Sequence, residues 1–530
     1  MPRRTQLING VERVYDYFPR WDKEKKYSTS DRDYIGKMVD GVFVPNEKYK
    51  LRMALEEAEK KNEVSSPPGS FSRLFHGATH LFDAIGERTG VAGDLKECFP
   101  DTHKQILSLA YYLILEDSNP LSRFPKWAKT HSHPFGSDIP SQRSSEIFAS
   151  IDEDSKQRFF RMQANRRMEK EFLVYDTTSV SSYSKLIKQV KYGHNKDHDP
   201  LPQINLLLLY GEESRLPIYY RKLPGNIADV TTVRTLLSEI DFLRSKKVKL
   251  VMDKGFYSEK NVNELYRNHS KFLMAIRSSL NWVKEMLDEE RTKLTQRACY
   301  DSEHEVYGLC RSTTWSYTET MKRSGEKKTG EKRIYLHLFR DERRSVEDRI
   351  EFNAMLDGLE RELRSGKRVS AHEKLYATYY DVGETPVRGI RLTPKQEAIE
   401  EAQKNFGCFA LVSNDVKESR EALRIYRGKD LIEKAFGNLK ERLNLRRTSV
   451  SSEENLEGKL FVQFIALTYL SQIDKTMREK SLYKKHTLCE LLDELNVIEK
   501  FESPGKNPYF GEITGKQREL YACFGVEPPT

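Results

Sequence analysis

The chain is poor in cysteine, and the six cysteines in its 530 residues are scattered with no Cys-x-x-Cys pair. Neither a zinc ribbon nor a disulfide framework is indicated, because both need cysteines at short, regular spacings. Runs of about 18 apolar residues, the length that spans a bilayer, are also missing. The first residues, MPRRTQLING, lack the apolar stretch of a signal peptide. We therefore expect a soluble protein of the reducing cytoplasm with no membrane partner.

A large excess of one charge sign is missing as well, since the formal net charge is only +9 although 32% of the residues are charged. A mildly basic surface suits a polyanion such as nucleic acid, but a soluble protein without a special partner has a similar composition. The length exceeds that of one ordinary domain, so several domains are expected.

Changes in composition along the chain predict six segments. The stretch EVSSPPGSFS at 63–72 combines Ser, Pro and Gly and is typical of a linker. The predicted segments are a β-leaning module at 1–65, a helical domain at 72–150, an α/β part at 157–279, a turn-rich part at 280–405, a second α/β part at 406–475 and a basic helical tail at 476–530.

The part from 157 to 279 has the clearest pattern. Apolar runs bounded by turn residues predict a strand ending at Asp176 and two strands at 203–210 and 215–223. An amphipathic helix at 229–245 and a buried strand at 248–253 follow, and then a short helix and a strand at 271–276. This order predicts an α/β sheet in which the fourth strand lies beside the first.

Two of these strands are predicted to end on an aspartate, Asp176 in YDTTS and Asp253 in MDKGFYS. One interpretation is that both simply cap turns, which Asp does readily. The other is a site, because α/β sheets place ligands at the carboxyl ends of their strands. Two neighbouring carboxylates repel each other, and a hard divalent cation such as Mg²⁺ relieves that repulsion.

A third carboxylate is predicted on a helix near 424–447. At about 100° per residue, Tyr426, Lys429, Glu433 and Lys440 share one face, and Arg427 points away from it. A tyrosine, two cations and one acid in a line are typical of a phosphate-handling face that contains a metal ligand. An exposed helix with ordinary ion pairs is the alternative.

These three motifs, in this order, resemble those of DDE transposases of the insertion-sequence-four superfamily. YDTTS matches the first-aspartate motif of that family and MDKGFYS its second motif. Tyr426, Glu433 and Lys440 match its Y-x2-R-x3-E-x6-K signature, with Lys429 where arginine is usual. The resemblance covers roughly 165 to 475 of this sequence.

The resemblance implies a fold and a function. The expected fold is a ribonuclease-H-like core with a mixed five-stranded sheet, interrupted at 280–405 by a mostly β insertion and preceded by modules that bind DNA. Asp176, Asp253 and Glu433 are expected to hold two Mg²⁺ or Mn²⁺ ions. The protein would then cut double-stranded DNA at the ends of a mobile element and join the 3′-OH to target DNA. A homodimer on the DNA and a nucleoid-associated location in a prokaryote are implied in the same way.

Two further features have competing interpretations. Trp315, inside the insertion, is either a core residue or an aromatic that stacks on a flipped base, as in related transposases. The bunched residues of HNKDHDP at 194–200 favour a polar loop over a metal site, because no regular spacing presents them together. For the whole chain, the alternatives to a transposase are a DNA-binding derivative without chemistry and a ribonuclease-H-like nuclease without strand transfer.

Overall fold

A computed structural model of the chain describes residues 3–8, 11–22, 27–39, 41–53, 71–117, 119–167, 171–242, 248–320, 327–385, 389–450 and 452–530. The predicted linker at 63–72 lies almost entirely outside the described residues. The strands are β1 (Arg3–Ile8), β2 (Val11–Asp22), β3 (Tyr27–Val39), β4 (Val42–Pro45), β5 (Ser72–Phe75), β6 (Phe172–Ser182), β7 (Gln203–Gly211), β8 (Pro217–Pro224), β9 (Lys249–Met252), β10 (Lys271–Ile276), β11 (Tyr300–Asp301), β12 (Val306–Thr320), β13 (Lys327–Arg340), β14 (Tyr380–Thr385), β15 (Gly389–Pro394), β16 (Cys408–Ser413), β17 (Arg447–Thr448), β18 (Glu499–Glu502) and β19 (Tyr509–Phe510).

The helices named below are numbered in the same way. They are α1 (Gly77–Thr89), α2 (Val91–Cys98), α3 (His103–Leu115), α4 (Phe124–Ala128), α5 (Ser141–Ser150), α6 (Glu153–Arg167), α7 (Asp229–Phe242), α8 (Glu259–Arg267), α9 (Asn281–Leu294), α10 (Glu342–Arg364), α11 (Glu373–Tyr379), α12 (Gln396–Gln403), α13 (Ser419–Arg427), α14 (Asp430–Gly437), α15 (Glu453–Glu479), α16 (Leu488–Asn496) and α17 (Gly515–Phe524).

The chain divides into two compact units. The first unit holds residues 1–163, 179–204 and 435–530, and the second holds 164–178 and 205–434. The six segments expected from composition are not tested by this division and stay a prediction.

The first unit begins with a separate antiparallel sheet in the order β1-β2-β3-β4. Val14, Ile35 and Tyr49 form its small apolar core. The carboxylate of Asp16 is almost fully buried and is neutralised by the Arg52 guanidinium at 2.6 Å, as a buried charge requires. This sheet is the β structure that the composition indicates at the start of the chain, and its role in DNA binding stays a prediction.

The long helix α15 forms the centre of the helical part of the first unit. Nearly every side chain between Leu456 and Ile473 is buried, as expected of a helix that is apolar all round. Helices α3 and α5 pack against it. Gly458 permits the approach of α5, because a Cβ there would lie 2.2 Å from the carbonyl oxygen of Phe148. In the part of the chain that the structure describes, no helix is long and apolar enough to cross a membrane.

The second unit is built on a mixed sheet with the strand order β11-β12-β13-β16-β10-β9-β6-β7-β8. Strand β9 runs parallel to both β6 and β10, and β10 pairs antiparallel with β16. The predicted order of strands and helices between 172 and 276 is confirmed, and so is the position of the fourth strand beside the first. Because β6 and β9 are parallel neighbours, their carboxyl ends lie at the same edge of the sheet.

Three expectations about this fold are wrong. Strand β6 does not end at Asp176 but continues to Ser182, since Thr and Val favour extended backbone. Within the described residues the sheet has ten strands instead of five, namely the nine of this order and β17, which pairs with β6. The hairpin β12–β13 joins the sheet through the pairing of β13 with β16. The segment 280–405 is not mostly β, since it also contains α9, α10, α11 and α12. Buried Leu356, Leu359 and Leu363 of α10 give that segment an apolar core of its own.

Candidate active site

Asp176 and Asp253 occupy neighbouring positions at the edge where β6 and β9 meet. The register pairs Tyr175 with Met252, so each aspartate is the next residue of its chain. The backbone N–H of Thr177 donates to Asp176 at 2.7 Å, and that of Lys254 donates to Asp253 at 2.8 Å. Asp253 also caps a short 3-10 turn. The turn-capping interpretation is therefore correct for Asp253, but it does not account for the other groups that reach this carboxylate.

Tyr426, at the end of α13, reaches Asp253 from outside the sheet. Its hydroxyl donates to Oδ1 of Asp253 at 2.8 Å. Burial alone would raise the pKa of Asp253, but the Tyr426 hydroxyl and the Lys429 ammonium outweigh burial and hold this pKa below its ordinary value. Burial and the adjacent Asp253 carboxylate raise the pKa of Tyr426. The aspartate therefore stays ionised and the phenol stays protonated as its donor.

Lys429 lies between two carboxylates. Its Nζ is 3.0 Å from Oε1 of Glu433 and 3.5 Å from Oδ2 of Asp253. Burial opposes the charge of Lys429, but Glu433, Asp253 and Asp176 together outweigh it and raise the pKa of the ammonium. The Glu433 side chain remains 56% exposed, so it is accessible to a ligand from solvent. Asp176, Asp253, Tyr426, Lys429 and Glu433 are therefore brought together in the second unit.

The helix that was expected to carry this face is broken. Helix α13 ends at Arg427, and α14 begins at Asp430. Between them the backbone N–H of Lys429 bonds to the carbonyl of Tyr426 in a tightened turn. A Cβ at Gly428 would lie 2.9 Å from Cγ of Glu212, so a larger residue there would require the Glu212 side chain to move. The prediction of one continuous helix is therefore wrong. Tyr426 and Glu433 lie close together for another reason than a shared face of one α-helix.

Lys440 and Arg427 make other contacts. Lys440 lies after α14, in the π-helical turn Asn438–Arg442. A π-helical turn contains more residues than an α-helical turn, so side chains in and after it point in other directions than α-helical periodicity predicts. Within the first unit its Nζ is 2.7 Å from Oδ2 of Asp197, and its side chain is only 9% exposed. In the second unit, Arg427 donates to the backbone carbonyl of His304 at 3.4 Å. It is thus directed at a different partner from Tyr426, as the sequence predicts.

Trp315 lies on β12 and is half-buried. Its Nε1 donates to Oδ1 of Asn263 at 2.8 Å, and its ring packs edge-on against Trp282 at 6.3 Å. These contacts are typical of a structural tryptophan with a satisfied ring nitrogen. A role in stacking on a base stays a prediction.

The sequence analysis missed one acid beside the aspartate pair. Asp229, the first residue of α7, accepts a hydrogen bond from the hydroxyl of Thr177, next to Asp176. The signal was the acid at the start of a helix in DVTTV, which by itself only indicates a helix terminus. The loop at 194–200 is polar as predicted, and its acids pair with cations of the first unit, Asp197 with Lys440 and Asp199 with Arg447.

The donor set of the site is suited to a hard cation. Asp176, Asp253 and Glu433 offer only oxygen atoms, the ligands that Mg²⁺ prefers in proteins. Within the described ranges, however, no group of three or more His, Cys, Asp or Glu side chains is placed to hold a metal ion. The positive charge between Asp253 and Glu433 is the ammonium of Lys429. The residues therefore fit a divalent ion in chemical type, and Lys429 would have to move away from these oxygens for them to hold one.

Comparison with known proteins gives one family and one structural likeness. A family model described as "Transposase DDE domain" matches residues 167–469, which is more than half of the chain and includes the whole site. No curated protein matches the sequence. Among solved structures, a cryo-EM structure of a piggyBac transposase synaptic complex with hairpin DNA is similar, with a TM-score of 0.35 and 10% identity, over 73% of this chain and 68% of that one.

Proposed function

We propose, from the premise that the chain belongs to the DDE transposase family, that it binds the terminal inverted repeats of an insertion sequence and catalyses cut-and-paste transposition. The observation that carries the proposal is the meeting of two strand-borne aspartates, Asp176 and Asp253, with Tyr426, Lys429 and Glu433. This arrangement supports chemistry on a phosphodiester for two reasons. The carboxylates can bind a cation, and the Lys429 ammonium and the Tyr426 hydroxyl can contact a phosphate.

In this proposal Asp176, Asp253 and Glu433 hold the divalent ions that DDE transposase domains generally use. The chemistry that two bound Mg²⁺ or Mn²⁺ ions supply is activation of an attacking oxygen and stabilisation of a leaving one. The chain itself contributes the orientation of the ligands. The Tyr426 hydroxyl donates a hydrogen bond to one oxygen of Asp253. The backbone N–H of Thr177 donates to Asp176 and that of Lys254 donates to Asp253, so each carboxylate is also held by the residue that follows it.

The finer assignment is to the insertion-sequence-four superfamily with its Tyr-Arg-Glu-Lys signature. Tyr426 and Glu433 support it, since they lie beside Asp253 and Lys429 in the folded chain. Lys429 takes the arginine position of that signature. A lysine offers phosphate a point charge where arginine offers a planar fork, so Lys429 supplies charge at this position but not bidentate geometry.

The proposed partners are double-stranded DNA at the element ends and at the target. The mildly basic composition supports a polyanionic partner. The proposed contacts to DNA are Tyr426, Lys429, Lys440, Arg427 and Trp315. A homodimer on paired ends, a ribonuclease-H-like core and a nucleoid location in a prokaryote belong to the same proposal.

The test of the function is a cleavage assay on duplexes that carry the inverted repeats flanking this gene. A transposase nicks them only with Mg²⁺ or Mn²⁺ and then joins the 3′ end to a second duplex. A nuclease without strand transfer cuts but leaves no joined product. A DNA-binding derivative retards the duplex and cuts nothing, and that result would refute the proposal.

Lys429 provides a test of how the site handles phosphate. We expect Lys429→Ala and Lys440→Ala to slow both cleavage and joining, because each removes a charge proposed to contact the DNA backbone. Lys429→Arg is expected to be tolerated or to increase the rate, because it restores the fork that phosphate prefers. Arg427→Ala is the matched control and should affect the chemistry less, since Arg427 is directed at the His304 carbonyl.

The readout is the rate of metal-dependent cleavage of an end-sequence duplex, with thermal melting as the folding control. For Lys429→Arg and Arg427→Ala the free energy of unfolding should change by no more than about 0.5 kcal/mol, as is usual for changes away from the core. Lys429→Ala and Lys440→Ala each remove a cation from a largely buried ion pair and should also lower the melting temperature, so their cleavage rates are compared at a temperature where each variant is folded. A reversal, in which Arg427→Ala abolishes cleavage and Lys429→Ala leaves it intact, would show that Arg427 has the arginine role.

A further inference from the structure

The four-stranded sheet at the start of the chain has a covered face and an open face. Val14 of β2 and Ile35 of β3 point to the covered face, where they pack with Tyr49 of the helical residues 47–53. Successive side chains of a strand point to opposite faces of a sheet. The neighbours of Val14 and Ile35 along these two strands therefore lie on the other face, which is called the open face here.

The open face combines cations with tyrosines. The register pairs Arg13 of β2 with Lys37 of β3. It also pairs Tyr15 with Tyr34 on the same two strands, and Tyr15 with Arg4 on β1. Residues directly opposite each other share a face of the sheet. The charged and aromatic residues of the open face are Arg4, Arg13, Arg32, Lys37, Tyr15 and Tyr34.

The acids of this sheet point the other way. Within the described side chains of β1 to β4 the acids are Glu12, Asp16 and Asp33, and each alternates with the residues of the open face. Asp16 and Asp33 both approach the guanidinium of Arg52, which lies on the covered side. The open face therefore carries positive charge without a described acid among its side chains.

The positive charges of the open face are available to a ligand. Arg13, Arg32 and Lys37 make no ion pair with any residue that the structure describes. Arg32 and Lys37 are exposed, and Arg13 is half-buried. A basic face with no compensating acids attracts a polyanion.

The two tyrosines hold the arginine side chains in place. The guanidinium of Arg32 lies 5.6 Å from the ring centroid of Tyr15, and that of Arg13 lies 5.5 Å from the ring centroid of Tyr34. Arginine stacks favourably on aromatic rings in this way. Nη1 of Arg32 also donates to Oε1 of Gln6 at 3.1 Å. A guanidinium has five N–H donors, so this one bond leaves Arg32 with further donors for a ligand.

The same stacking favours a duplex over a single strand as the partner. Single-stranded nucleic acid binds by stacking its bases on open aromatic rings. Tyr15 is only 9% exposed, and a guanidinium lies over each of the two rings. The rings therefore orient cations instead of receiving bases. Arginine side chains held in this way suit phosphate groups, whose oxygens match the planar fork.

We propose that the open face of this sheet binds double-stranded DNA, with Arg13, Arg32 and Lys37 each contacting a backbone phosphate. The identity of this DNA as the end of a mobile element rests on the proposed function. The affinity for a duplex rests on the charge and geometry of the open face alone.

The test measures the affinity of the full chain for DNA in buffer without divalent metal, so that no cleavage occurs. The probes are a labelled duplex of the inverted repeat that flanks this gene and one isolated strand of that duplex. The slope of log affinity for the duplex against log salt should become shallower by about 1.8 in the double variant Arg13→Gln/Arg32→Gln. This value corresponds to two lost phosphate contacts at about 0.9 each.

The matched control removes two charges from the covered side of the same sheet. Lys48 and Lys50, in the helical residues 47–53, have side chains that are 68% and 53% exposed. Lys48→Gln/Lys50→Gln lowers the net charge by the same amount as the arginine variant and should keep the wild-type slope. Thermal melting shows whether each variant is folded.

Two further variants keep the test informative if the loss of both arginines unfolds the sheet. Arg13→Lys/Arg32→Lys retains the charges and should keep a slope close to that of the wild type. Lys37→Gln leaves both arginine–tyrosine pairs intact and should make the slope shallower by about 0.9, the value of one lost contact.

The proposal is overturned if folded Arg13→Gln/Arg32→Gln, or Lys37→Gln in its place, keeps the wild-type slope. An equal change in the Lys48→Gln/Lys50→Gln control would also overturn it, because the slope would then follow net charge and not this face. A larger loss of affinity for the isolated strand than for the duplex would reject the duplex as the partner. The proposed function fails separately: a chain that cuts nothing in the cleavage assay, but shows the expected slopes, still binds duplex DNA by this face.

Discussion

Asp176→Ala, Asp253→Ala and Glu433→Ala are each expected to abolish cleavage of an end-sequence duplex while duplex binding stays largely intact. Binding rests on contacts between Lys or Arg and phosphate and on the release of counterions. Cleavage needs all three carboxylates, because each is proposed to hold a divalent ion. The measurement is a single-turnover cleavage assay run beside a gel-retardation assay on the same duplex.

The control for these variants is an acid of the same unit outside the site. Glu421, on the exposed side of α13, serves this purpose, and Glu421→Gln should cleave like the wild type. Asp253→Asn adds a variant of unchanged shape, in which the Tyr426 hydroxyl still has an acceptor but the negative charge is gone. If any one of the three alanine variants cleaves at the wild-type rate, that residue is not a metal ligand.

Binding to DNA is expected to weaken steeply with salt. A protein that contacts about six phosphates loses about a thousandfold or more in affinity between roughly 50 and 200 mM salt. The physical reason is that each neutralised phosphate releases condensed counterions, and added salt makes that release less favourable. The measurement is the dissociation constant of a labelled duplex at four or more salt concentrations without divalent metal.

An unrelated duplex separates sequence recognition from this general effect. The end-sequence duplex should bind more tightly at every salt concentration, and both duplexes should show steep slopes. Affinities that do not change with salt would contradict the polyanion-binding interpretation of the mildly basic composition.

The sequence was sufficient for those parts of the fold where local pattern and burial agree. The run QINLLLLY forms β7, which is buried along its whole length, and KFLMAI forms β10 with the predicted bounds. The placement of β9 beside β6 followed from the order of elements alone. The meeting of Asp176 and Asp253 was predicted from the carboxyl ends of these two strands. Although β6 continues to Ser182, the register that pairs Tyr175 with Met252 places the two aspartates side by side.

The remaining features depend on contacts between residues that are far apart in the chain. At Gly428, in the break between α13 and α14, the side chain of Glu212 lies close to the backbone although it is more than 200 positions earlier in the chain. The extension of the sheet by β13 requires its pairing with β16, and no local pattern specifies that partner. Asp229 meets Thr177 only in the folded chain. Helical periodicity placed Tyr426 and Glu433 on one face, but a tight turn and not a continuous helix brings them together.

The most direct measurement of the central claim is a crystal structure of the chain bound to cleaved end DNA in the presence of Mn²⁺, with anomalous data. The account predicts anomalous density bound by the carboxylates of Asp176, Asp253 and Glu433, with the Lys429 ammonium moved off Asp253 and in contact with a phosphate. Anomalous density elsewhere on the DNA complex, with Lys429 still between Asp253 and Glu433, would contradict the account.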